Sequence, residues 1–551
     1  MTSMSVTCHP SSRHDLCDEE KDYILKRFQI VEGCLHSHGI DCKPNNPPRV
    51  ALLGSGGGQR AQTALLGVLR QLGEDNLLDS FLYLAGVSGS TWAMASLYND
   101  LHWSKNPADS TSGVLRSMSE GKGVTLSEGI QWLKQRDEEG DLSLADLWGV
   151  VVSYIKGVPL ETRTLAEEGK GDGDGANPYP LYSAVDREMF HNKSKELWFE
   201  LSPHEVGFTQ PGAFVKTSLL RQDFDAGHVK QQKKRWPMDM VQLQGFFNNF
   251  SHTHTHTHTH ILGGVSASRC QNKTHCQLSL SKSCCSNPMW GTNSILCCPL
   301  DDYGAFSPTL LEVDHQIWTD MTEEERKEQM LKILEELIAS SEEWAQGQIK
   351  LIKTLTNVWW IFKHIWPLLK KWQFGNMGNF LYHFQDPKVP EHMCKEKIMH
   401  LVDAGLFLNS PYPPMLTDVR DIDLIVSFDF SENSPFETLK VASDYAAKIH
   451  RPFPAIDVES LDKDCPGSFY VFEERGKPTV IHIPLFNMDN CKDEATIKKE
   501  QHEYTTFQLP YRGKKKKIND LADLAAENVR MNRERILEEI RKAAERRKAQ
   551  C

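Results

Sequence analysis

The sequence predicts an α/β fold, and three segments carry that prediction. Arg49-Val50-Ala51-Leu52-Leu53 is an apolar run closed by Gly54-Ser55-Gly56-Gly57-Gly58, after which Gln59-Arg60-Ala61 opens a helical stretch. Phe81-Leu82-Tyr83-Leu84-Ala85 runs into Gly86-Val87-Ser88-Gly89-Ser90 and again into a helix start at Thr91-Trp92. Each reads as a buried strand, a tight glycine turn and a helix start, the repeating unit of a sheet with helices against it. Far downstream, His400-Leu401-Val402 leads into Asp403-Ala404-Gly405, and a further apolar run follows at Leu424-Ile425-Val426-Ser427-Phe428.

The elements follow in order. Residues 1–17 read as loose, and 18–37 as an amphipathic lead-in helix. Residues 46–150 alternate strand and helix patterns around the two glycine turns. Gly169 to Gly175 is a polar loop; an EF-hand reading of its aspartates fails because no Glu stands at the twelfth loop position. At about 245–300, His252, His254, His256, His258 and His260 alternate with threonine, and Cys270, Cys276, Cys284, Cys285, Cys297 and Cys298 follow. An alternating His run gives His-x₃-His spacing automatically and no Cys-x-x-Cys accompanies it, so an insertion of low complexity is expected there, not a zinc site. Residues 345–374 interleave Trp359, Trp360, Trp366 and aliphatic residues with lysines, which suits either a membrane interface or the protein's own core. Lys514-Lys515-Lys516-Lys517 adds a basic run near the C-terminus.

The chemistry lies in the turns. Gly86-Val87-Ser88-Gly89-Ser90 is a variant of the Gly-x-Ser-x-Gly elbow that presents a serine hydroxyl as nucleophile, with Ser90 in place of the last glycine. Gly56, Gly57 and Gly58 offer consecutive N–H groups, unobstructed by side chains, where an oxyanion can be held. Nucleotide readings fit poorly. The dinucleotide fingerprint lacks its acidic ribose partner at the end of the next strand, and a P-loop would need Lys where Gln59-Arg60 stand. The bland alternative is that these glycines only let helices pack close to a sheet. An Asp at a strand end beside a glycine turn, as at Asp403, can reach the mouth of an open sheet. A Ser-His-Asp triad stays open by count, since His450, His482 and His502 follow Asp403; none sits at a glycine turn after a strand, and a Ser–Asp dyad is preferred.

These residues resemble the cytosolic (group IV) phospholipases A2, and within them the gamma branch, which lacks a calcium-dependent lipid-binding domain. The resemblance runs from about residue 18 to about 545. It includes Leu142 to Trp148, Asn177 to Tyr182, Trp198 to Pro203, Gly207-Phe208, Trp372 to Gly375 and Phe380 to Tyr382. It implies a patatin-like fold, a central mixed sheet flanked by helices with a cap or lid region. The chain would divide into a tail and lead-in helix at 1–45, a catalytic domain at 46–545 and a tail at 546–551. The cap would span about 100–375 and contain the insertion. The implied activity is hydrolysis of the fatty acyl ester of glycerophospholipids, with lysophospholipase and transacylase activity; the alternative is a serine esterase or acyltransferase acting on other acyl esters. Ser88 would attack the ester carbonyl and Asp403 would take its proton. Gly56, Gly57 and Gly58 would hold the oxyanion. Arg60 and Arg420 would face the substrate phosphate, a task suited to a forked guanidinium; read alone, one is a helix-start charge and the other a loop arginine.

Composition fits that expectation. The 551 residues carry a formal net charge of −12, which argues against a nucleic-acid partner. The start of the chain reads as no signal peptide, and nowhere do about 20 uncharged apolar residues run together. Cys551 closes the chain, whereas prenylation needs three residues after the cysteine. The expected protein is cytoplasmic and peripherally associated with intracellular membranes, and meets glycerophospholipid and lysophospholipid substrates through its own surface. No cofactor or metal is expected. Since no acidic calcium-binding lipid module precedes residue 46, calcium is expected to be dispensable.

Overall fold

The computed structural model describes residues 9–10, 16–246 and 375–549, with breaks at 122, 139–141, 170–173, 189–193, 231–236, 433 and 506–513, together with Trp360 and His364. The insertion at about 245–300, its histidines and cysteines, and nearly all of 345–374 lie outside the described residues.

Asp18–Ser37 forms the lead-in helix α1, with Asp18, Glu19 and Glu20 in its first turn complementing the helix dipole. Ile24, Phe28, Val31 and Leu35 fall on one face and are buried. Val50–Gly54 (β1) is buried along its whole length, as expected of a strand covered on both faces. Gly58–Glu74 (α2), Tyr83–Gly86 (β2) and Gly89–Leu97 (α3) follow at the two glycine turns.

Next come Leu144–Lys156 (α4), Tyr179–Asp186 (β3), Trp198–Leu201 (β4), Glu205–Phe208 (β5), Ala213–Lys216 (β6) and Met240–Phe246 (α5). Asn376–Gly378 (β7), Ile398–Asp403 (β8), Leu424–Asp429 (β9), Tyr470–Phe472 (β10), Thr479–Pro484 (β11) and Lys515–Ala549 (α6) complete the frame.

The sheet is mixed, in the order β6-β5-β4-β3-β2-β1-β9-β11-β10. Strands β3, β2, β1, β9 and β11 run parallel, and the outer strands are antiparallel. α2 is buried for most of its length because α6 covers its outer side. This is the α/β arrangement expected. The span expected to form a cap, about 100–375, departs from it: β3 to β6 lie inside that span and belong to the central sheet. The reason is pairing, since Tyr179–Tyr182 continue the parallel ladder beside β2. Trp360 packs on helix Leu126–Glu138, stacked on His364, with Lys134 over its ring.

Candidate active site

The site arises from one register. Along one edge of β3, Tyr179–Tyr182 pair in parallel with β2, while Ala184–Asp186 pair antiparallel with β8. β2 and β8 therefore approach each other end to end. Gly86 lies opposite Tyr182 and Asp403 opposite Ala184, so the ends of the two strands meet on neighbouring positions of β3. Ser88 sits just past the end of β2, and Asp403 is the last residue of β8.

Ser88 adopts φ 50° and ψ −121°, a conformation that strains any residue with a Cβ. It is held there by its own turn: the Thr91 hydroxyl and the Thr91 N–H both donate to the Ser88 carbonyl, at 2.5 and 2.9 Å. Gly89 is required next to it. A Cβ there would stand 2.0 Å from the Gly58 carbonyl oxygen, because the two glycine turns touch backbone to backbone. Ser90, which replaces the glycine of the usual elbow, donates its hydroxyl to the Ser55 carbonyl at 2.6 Å and ties the two turns together.

Ser88 faces the buried Asp403 carboxyl, whose Oδ1 accepts the Gly405 N–H at 2.8 Å. Burial raises the Asp403 carboxyl to about 6, and the Gly405 N–H and the Ser88 side chain only partly offset it. It is thus a carboxylate at neutral pH with a raised proton affinity, the property a general base needs. His482 is committed elsewhere: its Nε2 lies 2.6 Å from the Pro435 carbonyl and 3.8 Å from Asp429. Burial pushes its imidazole down, away from the charged form.

The glycine turn meets Ser88 from the other side. A Cβ on Gly56 would stand 2.9 Å from the Ser88 Cβ. Gly57, at φ 152°, leaves no room for a side chain, since a Cβ would lie 2.8 Å from the Phe430 carbonyl oxygen. Among the described residues, no acceptor takes the N–H of Gly57 or of Gly58. Buried backbone donors of this kind are paired in nearly all folded proteins, so the turn is set up to receive an acceptor from outside.

Neither arginine stands where the resemblance implied. Arg60 is 1% exposed; its Nε donates to the Phe430 carbonyl at 2.7 Å and its Nη1 to the Tyr504 carbonyl at 2.8 Å, with Glu432 at 3.8 Å. Its guanidinium backs the glycine turn from inside the protein. Arg420 is further removed. It donates to both oxygens of Glu20, at 3.0 and 3.2 Å, and to both oxygens of Glu200, at 3.1 and 2.9 Å. It also lies over Tyr83, at the start of β2 and the opposite end of that strand from Ser88. Two buried carboxylates occupy the fork that a phosphate would need.

Sequence reasoning missed the supports of the glycine turn. The Ser55 hydroxyl donates to Asp429 Oδ1 at 3.1 Å and accepts the Phe430 N–H at 2.6 Å, fixing the turn to the end of β9. Asn409 grips Gly56, its backbone carbonyl accepting the Gly56 N–H at 3.0 Å and its Nδ2 donating to the Gly56 carbonyl at 3.2 Å, so Gly56, expected among the oxyanion donors, has its N–H already taken. The one available signal was that Asp429-Phe430 ends an apolar run as Asp403 does.

Known proteins resemble this chain over nearly its whole length. The family described as "Lysophospholipase catalytic domain" matches residues 50–278. Cytosolic phospholipase A2 gamma of Mus musculus is 30% identical, over 97% of this chain and 92% of its own length. Its Homo sapiens counterpart is 31% identical, over 96% and 95%. Among solved structures, human GIVD cytosolic phospholipase A2 superposes with a TM-score of 0.66 at 22% identity, a likeness of fold that covers 96% of this chain and 65% of that one. With identity at this level sustained over nearly the whole length of both chains, this chain belongs to the cytosolic phospholipase A2 family.

Proposed function

We propose that the chain hydrolyses the fatty acyl ester of glycerophospholipids and lysophospholipids through Ser88 and Asp403, without calcium. Phospholipid acyl hydrolysis comes with the family; the residue roles and the calcium independence are our assignment. The observation that carries it is the strained Ser88 turn at the end of β2, meeting the buried carboxyl of Asp403 at the end of β8 and lying beside the N–H groups of Gly57 and Gly58. Ser88 Oγ attacks the ester carbonyl carbon while Asp403 accepts its proton. The carbonyl oxygen, now negative, is held at Gly57 and Gly58. The tetrahedral intermediate collapses, the C–O bond breaks, and Asp403 returns the proton to the departing alcohol. Water then repeats the sequence on the acyl-enzyme, and a second alcohol in its place would give transacylation. Proton transfer and charge stabilisation are both assigned to protein groups, so metal chelation should leave turnover unchanged.

Among the described residues no helix is long and apolar enough to cross a membrane. The proposed encounter with substrate is peripheral, with chelator-insensitive sedimentation on phosphatidylcholine vesicles as its check. The residue assignment is tested by labelling with a fluorophosphonate and locating the adduct. It should sit on Ser88, and hydrolysis should stop in proportion to labelling. An adduct elsewhere with full inhibition would refute the assignment.

Arg60 provides a separate prediction. Because its guanidinium supports the Phe430 carbonyl behind Gly57, Arg60→Ala should slow phospholipid and neutral ester hydrolysis alike, by about ten- to hundredfold. A loss confined to phospholipid would restore the phosphate-facing role.

A further inference from the structure

Glycine turns are the most pliable backbone in a fold, and an oxyanion site works only if its donors are aimed before the charge appears. Something must fix this turn. The peptide bond is planar and trans, so its C=O and N–H point to opposite sides. Pinning the carbonyl of one residue therefore sets the N–H of the next. Two successive peptide planes of the turn are held in this way. The Ser55 carbonyl accepts from the Ser90 hydroxyl at 2.6 Å, and the Gly56 N–H across that plane donates to the Asn409 carbonyl at 3.0 Å. The Gly56 carbonyl then accepts from Asn409 Nδ2 at 3.2 Å. That leaves the Gly57 N–H directed away from Asn409, and it is one of the two donors with no acceptor among the described residues. Asn409 is itself braced, since Nδ2 also donates to Ser431 Oγ at 2.7 Å.

We propose that Asn409 is a positioning residue for the oxyanion turn, aiming the Gly57 N–H at the ester carbonyl oxygen by holding the Gly56 carbonyl. The inference rests on Ser88 being the nucleophile. It competes with a second route. Asn409 Oδ1 lies near the Asp403 turn, 2.8 Å from where a Cβ on Gly405 would stand, and Asp403 Oδ1 is 3.1 Å from the same point. Through that route Asn409 would act on the proton acceptor instead. The two routes differ in what they move: the turn sets the height of the rate, while the carboxylate sets its pH dependence.

The test uses Asn409→Ala and Asn409→Leu, the latter keeping a branched side chain of similar shape without the donor. Active sites are titrated with a fluorophosphonate, and kcat, KM and pH profile are measured on phosphatidylcholine vesicles and on a soluble ester. The expected result is a loss of about 100-fold in kcat per titrated site on both substrates. KM should stay within about twofold and the acid limb should not move. Unchanged kcat per site would overturn the proposal, and so would a displaced acid limb, which would show that Asn409 acts through Asp403. Failure of both variants to give any titratable site would also overturn it, as Asn409 would then hold the fold. Wild-type protein that takes no label at Ser88 would instead overturn the nucleophile assignment, and this inference with it.

Discussion

Ser88→Ala and Asp403→Asn are each expected to abolish turnover, by at least about ten-thousand-fold, and the double variant to be no worse than either alone. Groups that act as one unit fail together, because removing either leaves the other with nothing to do. Asp403→Asn carries a second consequence of opposite sign. The folded state raises this carboxyl from 3.8 to about 6. Between those values the native state binds more protons than the unfolded chain, so stability falls as pH rises through the window. At neutral pH the burden is roughly 3 kcal/mol at most, from 1.36 kcal/mol per unit. Asp403→Asn lifts it, so the inactive variant should unfold at higher denaturant than wild type at pH 7.5, and the difference should shrink toward pH 4. A variant that is inactive and also less stable at pH 7.5 would mean that the carboxylate holds the fold.

Arg420→Ala is expected to have the largest effect on stability, a loss of about 3–5 kcal/mol, the cost of leaving buried charges without their partner. Arg420, Glu20 and Glu200 are each at most 5% exposed at the side chain, and the arginine joins α1, β4 and the loop before β9. Burial pushes the Glu20 carboxyl up, and Arg420 opposes that shift. Without the guanidinium the two acids would face each other in a dry site. Urea unfolding measures the loss, and site titration checks that the surviving folded protein keeps its turnover. Normal stability with a loss specific to phospholipid would put Arg420 back against a phosphate.

How much of this was legible follows from the kind of information each feature needs. The strand–glycine–helix units at Gly54–Gly58 and Gly86–Ser90 were readable because the glycines are demanded locally, by Gly57 at φ 152° and by the contact of Gly89 with Gly58. The lead-in helix at 18–37 was readable from its periodic apolar stripe. The arginines were not. A sequence shows that Arg420 is charged, but its partners lie 400 and 220 residues away, and only the fold, which brings Glu20 of α1 and Glu200 of β4 to one guanidinium, reveals them. The pairing of Ser88 with Asp403 depends on β8 entering the edge of β3 just beyond β2, a register that no local pattern encodes. Asn409 was hidden for the same reason. It looks like any turn asparagine until its contacts with Gly56 are seen.

The central claim is that Asp403 activates Ser88, and the rate at which Ser88 is labelled by a fluorophosphonate tests it most directly as a function of pH. Wild-type labelling should decline as pH falls through about 6, where the Asp403 carboxylate takes up its proton and can no longer accept one from serine. Asp403→Asn, confirmed folded by near-ultraviolet circular dichroism, should label at least about a hundredfold more slowly at pH 7.5, with no step near pH 6. If Asp403→Asn labels as fast as wild type, or keeps the same acid limb, the proton goes to another group and the dyad is contradicted.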